Sequence, residues 1–244
     1  MTAHLPRFLI TGTAAAGEPV ALGAGEAKHA RVRRLGVGAP VALFDGAGRS
    51  YLGRLESLSR EGAVVRVVEE LPERDGESAL ELVLAIGALK ADRFEWIAEK
   101  ATELGVSRIQ PFSSAHTLAQ PSHNRQERWR QIALAAAKQS GRSAAPAIDS
   151  PIAFDAVLRM PAAVRLLFAE DGSGARLDAV AASAAAATVL AIVGGEGGFS
   201  ADELAAARAA GCHLISLGPR ILRAETAALT VVALCQARWG DLGG

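Results

Sequence analysis

Two patterns of hydrophobic and polar positions follow one another along the chain. Up to about residue 75, short runs alternate or are rich in β-branched residues, and Asp-Gly-Ala-Gly and Arg-Glu-Gly turns separate them. Such runs predict β-strands, here at 6–10, 41–46, 47–58 and 63–71. A meander of short strands with a basic insertion, GEAKHARVRRL, is typical of a small barrel that holds RNA. We therefore predict a first domain over 1–75, ending in an acidic linker, LPERDGES.

From residue 76 onward, continuous apolar runs replace the alternating ones. Such runs are expected of strands buried on both faces of a parallel sheet, and they occur at 81–89, 108–112, 165–171, 188–195 and 213–218. Between them lie helical patterns at 92–106 and 127–141, an Ala-rich stretch before 188, and further helical patterns at 200–211 and 225–240. Strands that alternate with helices predict an α/β domain with a mainly parallel sheet over 76–244. Ser200 and Glu203 fit a capping box at the start of one helix, and Gly211 fits its end.

Two loops that follow predicted strands carry the residues best suited to chemistry, because ligands in open α/β sheets bind beyond the carboxyl ends of strands. The loop at 194–200 has four glycines around Glu196, which let the backbone approach a ligand closely. Taken alone, such a turn is more often plain geometry, and it matches neither a phosphate-binding nor a dinucleotide-binding motif. The loop at 217–227 brings Arg220, Arg223 and Glu225 within six residues. An ion pair that fixes the helix start is the alternative for Glu225, but two consecutive loops of this kind favour a site.

Charge is segregated along a chain that has no net charge. The 26 basic and 26 acidic side chains cancel, yet 1–54 has seven bases against three acids and 121–142 has five against one. The intervening 55–77 has seven acids against three bases. Segregated charge suggests a face directed at a polyanion, although solvated faces are an equally good interpretation of charge alone.

Composition excludes several classes of protein. Half of the residues are hydrophobic and 21% are charged, which excludes a disordered chain. No run is long and apolar enough for a membrane span and the N-terminus lacks a signal-peptide pattern, so we expect a cytoplasmic protein with no membrane partner. Cys212 and Cys235 are interpreted as small core residues, and the five His do not pair with Cys or carboxylates at ligand spacing, so no metal is expected.

The residues GGEGGFSADE, followed by LGPRILRAETA, resemble the 16S rRNA uracil-N3 methyltransferase family, in the SPOUT class of trefoil-knotted methyltransferases. The likeness extends over nearly the whole chain, through KHARVRRLGVGAPVALFDGAGRSYLGRL, KADRFEWIAEKATELGVSRIQPF and ERWRQIALAAAKQSGR. It implies an N-terminal PUA-like β-barrel that binds RNA and a C-terminal SPOUT-type α/β domain with a deep trefoil knot. It also implies S-adenosyl-L-methionine (SAM) as the cofactor, a homodimer, and 16S rRNA, in the 30S subunit, as the partner.

The resemblance also implies roles for particular residues. Neutral uracil N3 is a poor nucleophile, so its proton must be removed or the developing anion stabilised, and a fixed cation does the latter through preorganised electrostatics. Arg223 is the candidate cation, and Glu225 or Glu196 would orient it or accept the proton. The cofactor would be held by Gly194, Gly195, Gly197, Gly198, Leu217, Gly218, Ile221, Leu222 and Thr226. RNA would be contacted by Arg7, His29, Arg31, Arg34, Gln139 and Arg142, each of which could equally be a solvated or structural side chain.

Three other functions compete with this reading. A SPOUT enzyme acting on tRNA or on a ribose 2′-OH is disfavoured by the full-length N-terminal likeness. A catalytically silent RNA-binding protein that assists ribosome assembly is disfavoured because Arg223 and Glu225 are retained beside an intact glycine loop. A nucleotide-dependent oxidoreductase or kinase is disfavoured by the missing phosphate motifs.

Overall fold

The computed structural model describes residues 5–72, 76–113, 123–169, 174–180 and 188–243. The chain divides into unit 1, which comprises Met1–Glu77 and Leu134–Ala145, and unit 2, which comprises Ser78–Ala133 and Pro146–Gly244. The ranges predicted from the sequence, 1–75 and 76–244, cut the chain at a single point. The units differ from them chiefly in the segment Leu134–Ala145, which belongs with the N-terminal part of the chain.

The described residues of unit 1 form a five-stranded sheet, one complete helix and, at Leu134–Ser140, the last turns of a helix that begins in unit 2. Its elements are β1 (Arg7–Leu9), β2 (Pro19–Gly23), α1 (Ala24–Val32), β3 (Pro40–Phe44), β4 (Ser50–Leu58) and β5 (Gly62–Glu70). The strand order is β1-β3-β4-β5-β2, with β1 parallel to β3 and the other pairs antiparallel. The four predicted runs form β1, β3, β4 and β5, and the basic insertion forms α1. Strand β2 was not predicted because only Leu22 of its five residues is buried, so no apolar alternation marks it.

The segment Leu134–Ala145 joins unit 1 through ion pairs. Lys138 Nζ lies 2.6 Å from a carboxylate oxygen of Glu26 in α1. The buried guanidinium of Arg142 lies 2.6 Å from the Glu77 carboxylate. Partners so distant in sequence leave no local pattern, which is why the sequence did not assign this segment to the N-terminal part.

Unit 2 is built on a parallel sheet, as predicted. Its strands are β6 (Glu81–Gly87), β7 (Arg108–Ser113), β8 (Ala147–Ile148), β9 (Ile152–Ala153), β10 (Val164–Phe168), β11 (Thr188–Val193) and β12 (His213–Ile215). The order is β12-β10-β11-β6-β7-β8, β9 also pairs with β7, and every pairing is parallel. The five predicted strands are confirmed as β6, β7, β10, β11 and β12. The additional β8 and β9 have two residues each, too few to leave a hydrophobic pattern.

Helices cover both faces of this sheet. They are α2 (Ala91–Glu103), α3 (His123–Ser140), α4 (Phe154–Leu158), α5 (Ala201–Ala209) and α6 (Ala224–Trp239), and a 3-10 turn lies at Leu177–Ala179. One hydrophobic cluster packs α2, α6 and the first part of α3 on one face, and a second packs α4 and α5 on the other. The predicted capping box of α5 is confirmed, since Ser200 and Glu203 exchange both hydrogen bonds. Most of the predicted Ala-rich helix, at 181–187, lies outside the described residues.

The strand order determines where a ligand site can form. The chain runs outward from β6 to β7 in one direction and later returns to place β11 on the other side of β6. Such a reversal opens a crevice beyond the carboxyl ends of the two neighbouring strands. The loops after β6 and β11 therefore meet at this edge, and those after β10 and β12 lie beside them. Within the described parts of the chain, no helix is long and apolar enough to cross a membrane.

Candidate active site at the carboxyl ends of the parallel strands

Backbone packs against backbone where the loops after β6 and β11 meet. A Cβ on Gly87 would collide with the backbone nitrogen of Gly195 and lie 2.9 Å from its Cα. A Cβ on Gly195 would lie 2.7 Å from the carbonyl oxygen of Ala88. Real Cβ atoms do not approach backbone so closely, so this contact requires glycine on both sides.

The glycine loop itself forms a tight turn. Gly198 has a φ of +63° and donates its N–H to the Gly195 carbonyl oxygen at 3.1 Å. A Cβ on Gly194 would lie 3.2 Å from the Gly198 Cα. The turn leads directly into the capped start of α5, so the rigid helix fixes the end of the loop.

A cavity of about 380 Å³ lies at this edge of the sheet. Its walls come from the glycine loop, the end of β10, the start of α2 and the segment between β12 and α6. Two thirds of the predicted cofactor residues line it, namely Gly194, Gly195, Leu217, Gly218, Ile221 and Leu222. The predicted residues Gly197, Gly198 and Thr226 are not part of its wall. The two loops selected from sequence therefore converge on one cavity.

Two of the three predicted catalytic residues, Arg223 and Glu196, line this cavity. Arg223 is the exposed N-cap residue of α6. Its guanidinium has no ion pair or hydrogen bond with any residue in the described ranges. Glu225, two residues further on, does not line the cavity, and its side chain is only 16% exposed. Arg223 is therefore available to a ligand at this wall, as is the exposed Arg220, which also lines the cavity and has no partner among the described residues, whereas Glu225 is not part of the wall.

Sequence reasoning missed a further residue of the cavity wall, Arg93 in the first turn of α2. One of its terminal guanidinium nitrogens lies 3.2 Å from Glu196 Oε1 and 3.8 Å from Glu225 Oε2. Arg93 could have been found by the rule that selected the other two loops, namely that ligands bind beyond the carboxyl ends of the strands. Residues 88–93 follow β6, whose carboxyl end lies at the same edge of the sheet.

All six predicted RNA-binding residues belong to unit 1. Gln139 and Arg142 do so because they lie in the segment Leu134–Ala145. Arg31, Arg34 and Gln139 are exposed. His29 is half-buried, edge-on to the Phe8 ring at 5.6 Å between ring centres. Burial, followed by the Lys138 charge, lowers the pKa of His29 from its usual value. Three of the six thus present side chains to solvent on unit 1.

The structure corrects the expectation for Arg7 and Arg142, both of which are buried. The Arg142 guanidinium is engaged by Glu77, and Arg7 Nη2 donates to the Arg142 carbonyl oxygen at 3.2 Å. Arg7 also lies 5.4 Å from the centre of the Phe44 ring. Both side chains act inside unit 1, so we do not retain them as RNA contacts.

Family models match most of the chain. A model of an RNA methyltransferase domain matches residues 76–236, and a model of an RNA methyltransferase PUA domain matches residues 22–68. The parallel sheet, with its cavity at the switch between β11 and β6, and the PUA-like N-terminal part define a SPOUT-type RNA methyltransferase.

Two similar curated proteins are each named ribosomal RNA small subunit methyltransferase E. The one from Synechocystis is 35% identical over 210 residues, 84% of this chain and 68% of its own, and the one from Bacillus subtilis is 30% identical over 236 residues, 92% and 87% respectively. The chain belongs to the ribosomal RNA small subunit methyltransferase E family.

Solved structures agree with this assignment. A ribosomal RNA small subunit methyltransferase E from Neisseria gonorrhoeae, bound to S-adenosyl methionine, is 32% identical with a TM-score of 0.87, and the match covers 98% of this chain and 99% of that one. A methyltransferase from Legionella pneumophila, in complex with SAM, is 28% identical with a TM-score of 0.85, and covers 98% and 100%. The similarity therefore extends through both units rather than the α/β part alone.

Proposed function

We propose that this protein transfers a methyl group from SAM to N3 of a specific uridine in the 16S rRNA of the small ribosomal subunit. The observation that carries the proposal is the Arg223 guanidinium, which lines the cavity beside the glycine loop and has no partner among the described residues. A cation that no described residue engages is available to an anionic reaction centre. The names of the relatives support an rRNA methyltransferase of the small subunit. That the methyl group goes to N3 of a uridine is our proposal.

The cavity fits SAM in size and chemistry. Its volume of about 380 Å³ is within the roughly 300–1,000 Å³ usual for small-molecule sites. Gly194 and Gly195 line the cavity without side chains, so their backbone N–H and C=O groups can meet a ligand directly. The residues that would hold it are Gly194, Gly195, Leu217, Gly218, Ile221 and Leu222. SAM supplies a methyl group on a sulfonium, and no metal is required.

The chemistry required of the protein is stabilisation of a uracil anion. As the N3 proton leaves, negative charge spreads over O2, N3 and O4. The Arg223 guanidinium stays charged and presents a planar fork of donors, which suits a carbonyl oxygen that is gaining charge. The Glu196 carboxylate lines the same cavity and would accept the proton. Holding the base in line with the methyl group supplies the rest of the acceleration.

The proposed RNA surface is on unit 1. Arg31, Arg34 and Gln139 are exposed there, and His29 adds a partly accessible ring. Arginine contacts to phosphate position the RNA without reading its sequence. The target uridine would be splayed out of its stack to enter the cavity, as enzymes that modify bases require. In this proposal unit 1 holds RNA and unit 2 carries the reaction.

The remaining features follow from the family resemblance. We propose a homodimer in the cytoplasm, with the 30S subunit as the substrate particle. A deep trefoil knot in the α/β domain likewise remains a prediction.

Methylation of 30S subunits isolated from cells that lack this protein tests the proposal. The subunits are incubated with the protein and isotope-labelled SAM, digested to nucleosides and analysed by mass spectrometry. We expect labelled 3-methyluridine at one site. Label in another nucleoside, or only in tRNA, would overturn the N3 assignment. No label from a protein whose melting temperature rises with SAM would indicate a silent RNA-binding protein.

A further inference from the structure

Three charged side chains form a continuous chain at the cavity, Glu225–Arg93–Glu196. One terminal nitrogen of Arg93 reaches both carboxylates, at 3.2 Å from Glu196 and 3.8 Å from Glu225. The three residues come from three separate places at the edge of the sheet: the start of α2, the glycine loop and the start of α6. Arg93 therefore links the glycine loop to the start of α6.

The position of Arg93 is not explained by the stability of its own helix. It is the third residue of α2, which begins at Ala91. The first turn of a helix carries a partial positive charge, so a cation is unfavourable there. The next residue, Phe94, already provides the helix with its packing against the core. A cation retained at an unfavourable position points to a role outside the helix.

Glu225 acts on the cavity only through Arg93. Its side chain is 16% exposed, it is not part of the cavity wall, and its Oε2 is buried with no hydrogen-bond partner among the described residues. Arg93 supplies the cation that compensates this carboxylate. Arg93 and Glu196, by contrast, both line the cavity.

We infer that Arg93 is a positioning residue for the methyl transfer, an inference that rests on the function proposed above. Glu225 fixes Arg93, and Arg93 fixes Glu196 of the glycine loop against the cavity. Because Arg93 engages both carboxylates, neither of them takes up Arg223, which stays available to the uracil. Glu225 therefore supports the site from behind and is not the proton acceptor.

Loss of Arg93 would redistribute these charges. In Arg93→Met, Glu225 and Glu196 lose their common cation, and a buried carboxylate without a partner is unfavourable. Arg223 precedes Glu225 by two residues and lines the same cavity as Glu196, so it is the guanidinium that the carboxylates would recruit. An Arg223 that is paired in about nine molecules of ten would lower the rate of transfer about tenfold.

A double-mutant cycle tests the inference. Arg93→Met, Glu225→Gln and the double variant are compared for methylation of 30S subunits and for melting temperature without ligand. We expect each single variant to lose about tenfold or more in kcat with KM for the subunit nearly unchanged, and the double variant to lose no more than Arg93→Met. The melting temperature should fall in Arg93→Met and recover in the double variant, because Glu225→Gln removes the unpaired charge. Arg93→Lys should restore part of kcat.

Lys100→Met is the matched control. Lys100 lies on the same helix and also joins two carboxylates, Glu99 and Glu103, each at 2.8 Å, outside the cavity wall. It should leave kcat within about twofold of the wild type, since exposed pairs contribute little.

A wild-type kcat in Arg93→Met, or losses that multiply in the double variant, would overturn the inference. Should Arg93→Met fail to fold, the kcat of Glu225→Gln alone decides. A wild-type protein that transfers no label overturns the proposed function instead, and the melting cycle still reports whether Arg93 and Glu225 are coupled.

Discussion

Replacement of Glu77 by Gln should destabilise unit 1 strongly. The Glu77 side chain is 3% exposed and that of Arg142 is 6%. Glu77 Oε2 accepts from Arg142 Nη2 at 2.6 Å and from Nε at 3.0 Å, and Oε1 accepts from the backbone N–H groups of Ser143 and Ala144 at 3.0 and 2.9 Å. The carboxylate thus faces donors at both oxygens. Gln has the same shape but must direct an NH₂ group at one of these two sets.

The size of the effect follows from this geometry. Should the new NH₂ face Arg142, two hydrogen bonds to a charged group are lost, each worth about 1.5–3 kcal/mol. Removing one partner of a buried ion pair costs about 3–5 kcal/mol in general, because the other charge stays buried and unpaired. We therefore expect Glu77→Gln to lower the free energy of unfolding of unit 1 by about 3–5 kcal/mol.

An exposed pair in the same unit provides the control. Arg66 contacts both oxygens of Glu56, at 2.7 and 3.0 Å, with side chains 43% and 37% exposed. Because water solvates this pair, Glu56→Gln should cost less than about 1 kcal/mol. The two substitutions have the same chemistry and differ in burial.

Urea titration followed by amide hydrogen exchange of β3–β5 measures opening of unit 1 directly. Tryptophan fluorescence monitors unit 2 in the same samples, since Trp96, Trp129 and Trp239 all lie there. A loss below about 1 kcal/mol in Glu77→Gln, equal to that of Glu56→Gln, would refute the reasoning that burial makes the Glu77 pair essential.

Three further predictions concern other parts of the molecule. Arg34 has a φ of +55°, a conformation that favours glycine, so Arg34→Gly should raise the free energy of unfolding by about 1 kcal/mol. The same change should weaken RNA binding and reduce the slope of log affinity against log salt concentration by about one. Unchanged RNA binding would remove Arg34 from the proposed surface. Gly87→Ala should lower both the melting temperature and the affinity for SAM, because its Cβ would collide with Gly195. Gly25→Ala, in α1 with open space at its Cβ, should not lower the melting temperature and should leave the affinity for SAM unchanged. Equal losses in the two variants would contradict the close contact of the loops. The pKa of His29 is lowered by burial and by Lys138, so the unfolded chain binds a proton first as pH falls below about 6.5. The free energy of unfolding should therefore decrease below that pH more in the wild type than in His29→Gln. An equal decrease in the two proteins between pH 7.5 and 5.5, measured by urea titration, would exclude this.

Elements whose signals are local were predictable. Five strands of unit 2 were predicted from continuous apolar runs, because a strand covered on both faces has no polar side. The start of α5 was predictable to the residue, since the Ser200 and Glu203 capping box needs only its own four positions. The cavity was also within reach, because carboxyl ends of parallel strands share one edge, and this brings the glycine loop to Arg223 without further information.

Contacts between distant segments were not predictable in the same way. Arg7 and Arg142 were expected to meet RNA because the sequence shows only that they are basic. Burial of Arg142 depends on Glu77, 65 positions earlier, and on the transfer of Leu134–Ala145 to unit 1. Arg93 follows a strand end and could have been found from the sequence, but its pairing could not, since its carboxylates lie about a hundred positions or more away.

The amino-acid sequence alone determined the strand and helix periods, the parallel α/β class, the family resemblance and the two loops that form the cavity. Backbone periodicity and turn chemistry depend on neighbouring residues, so a linear pattern records them. Only the tertiary structure decided which guanidinium groups are engaged and which remain available: Arg142 and Arg93 are engaged by carboxylates, and Arg223 has no partner in the part of the chain that the structure describes. That decision depends on distances between charges and on the removal of water around them, and both come into being when the strands assemble.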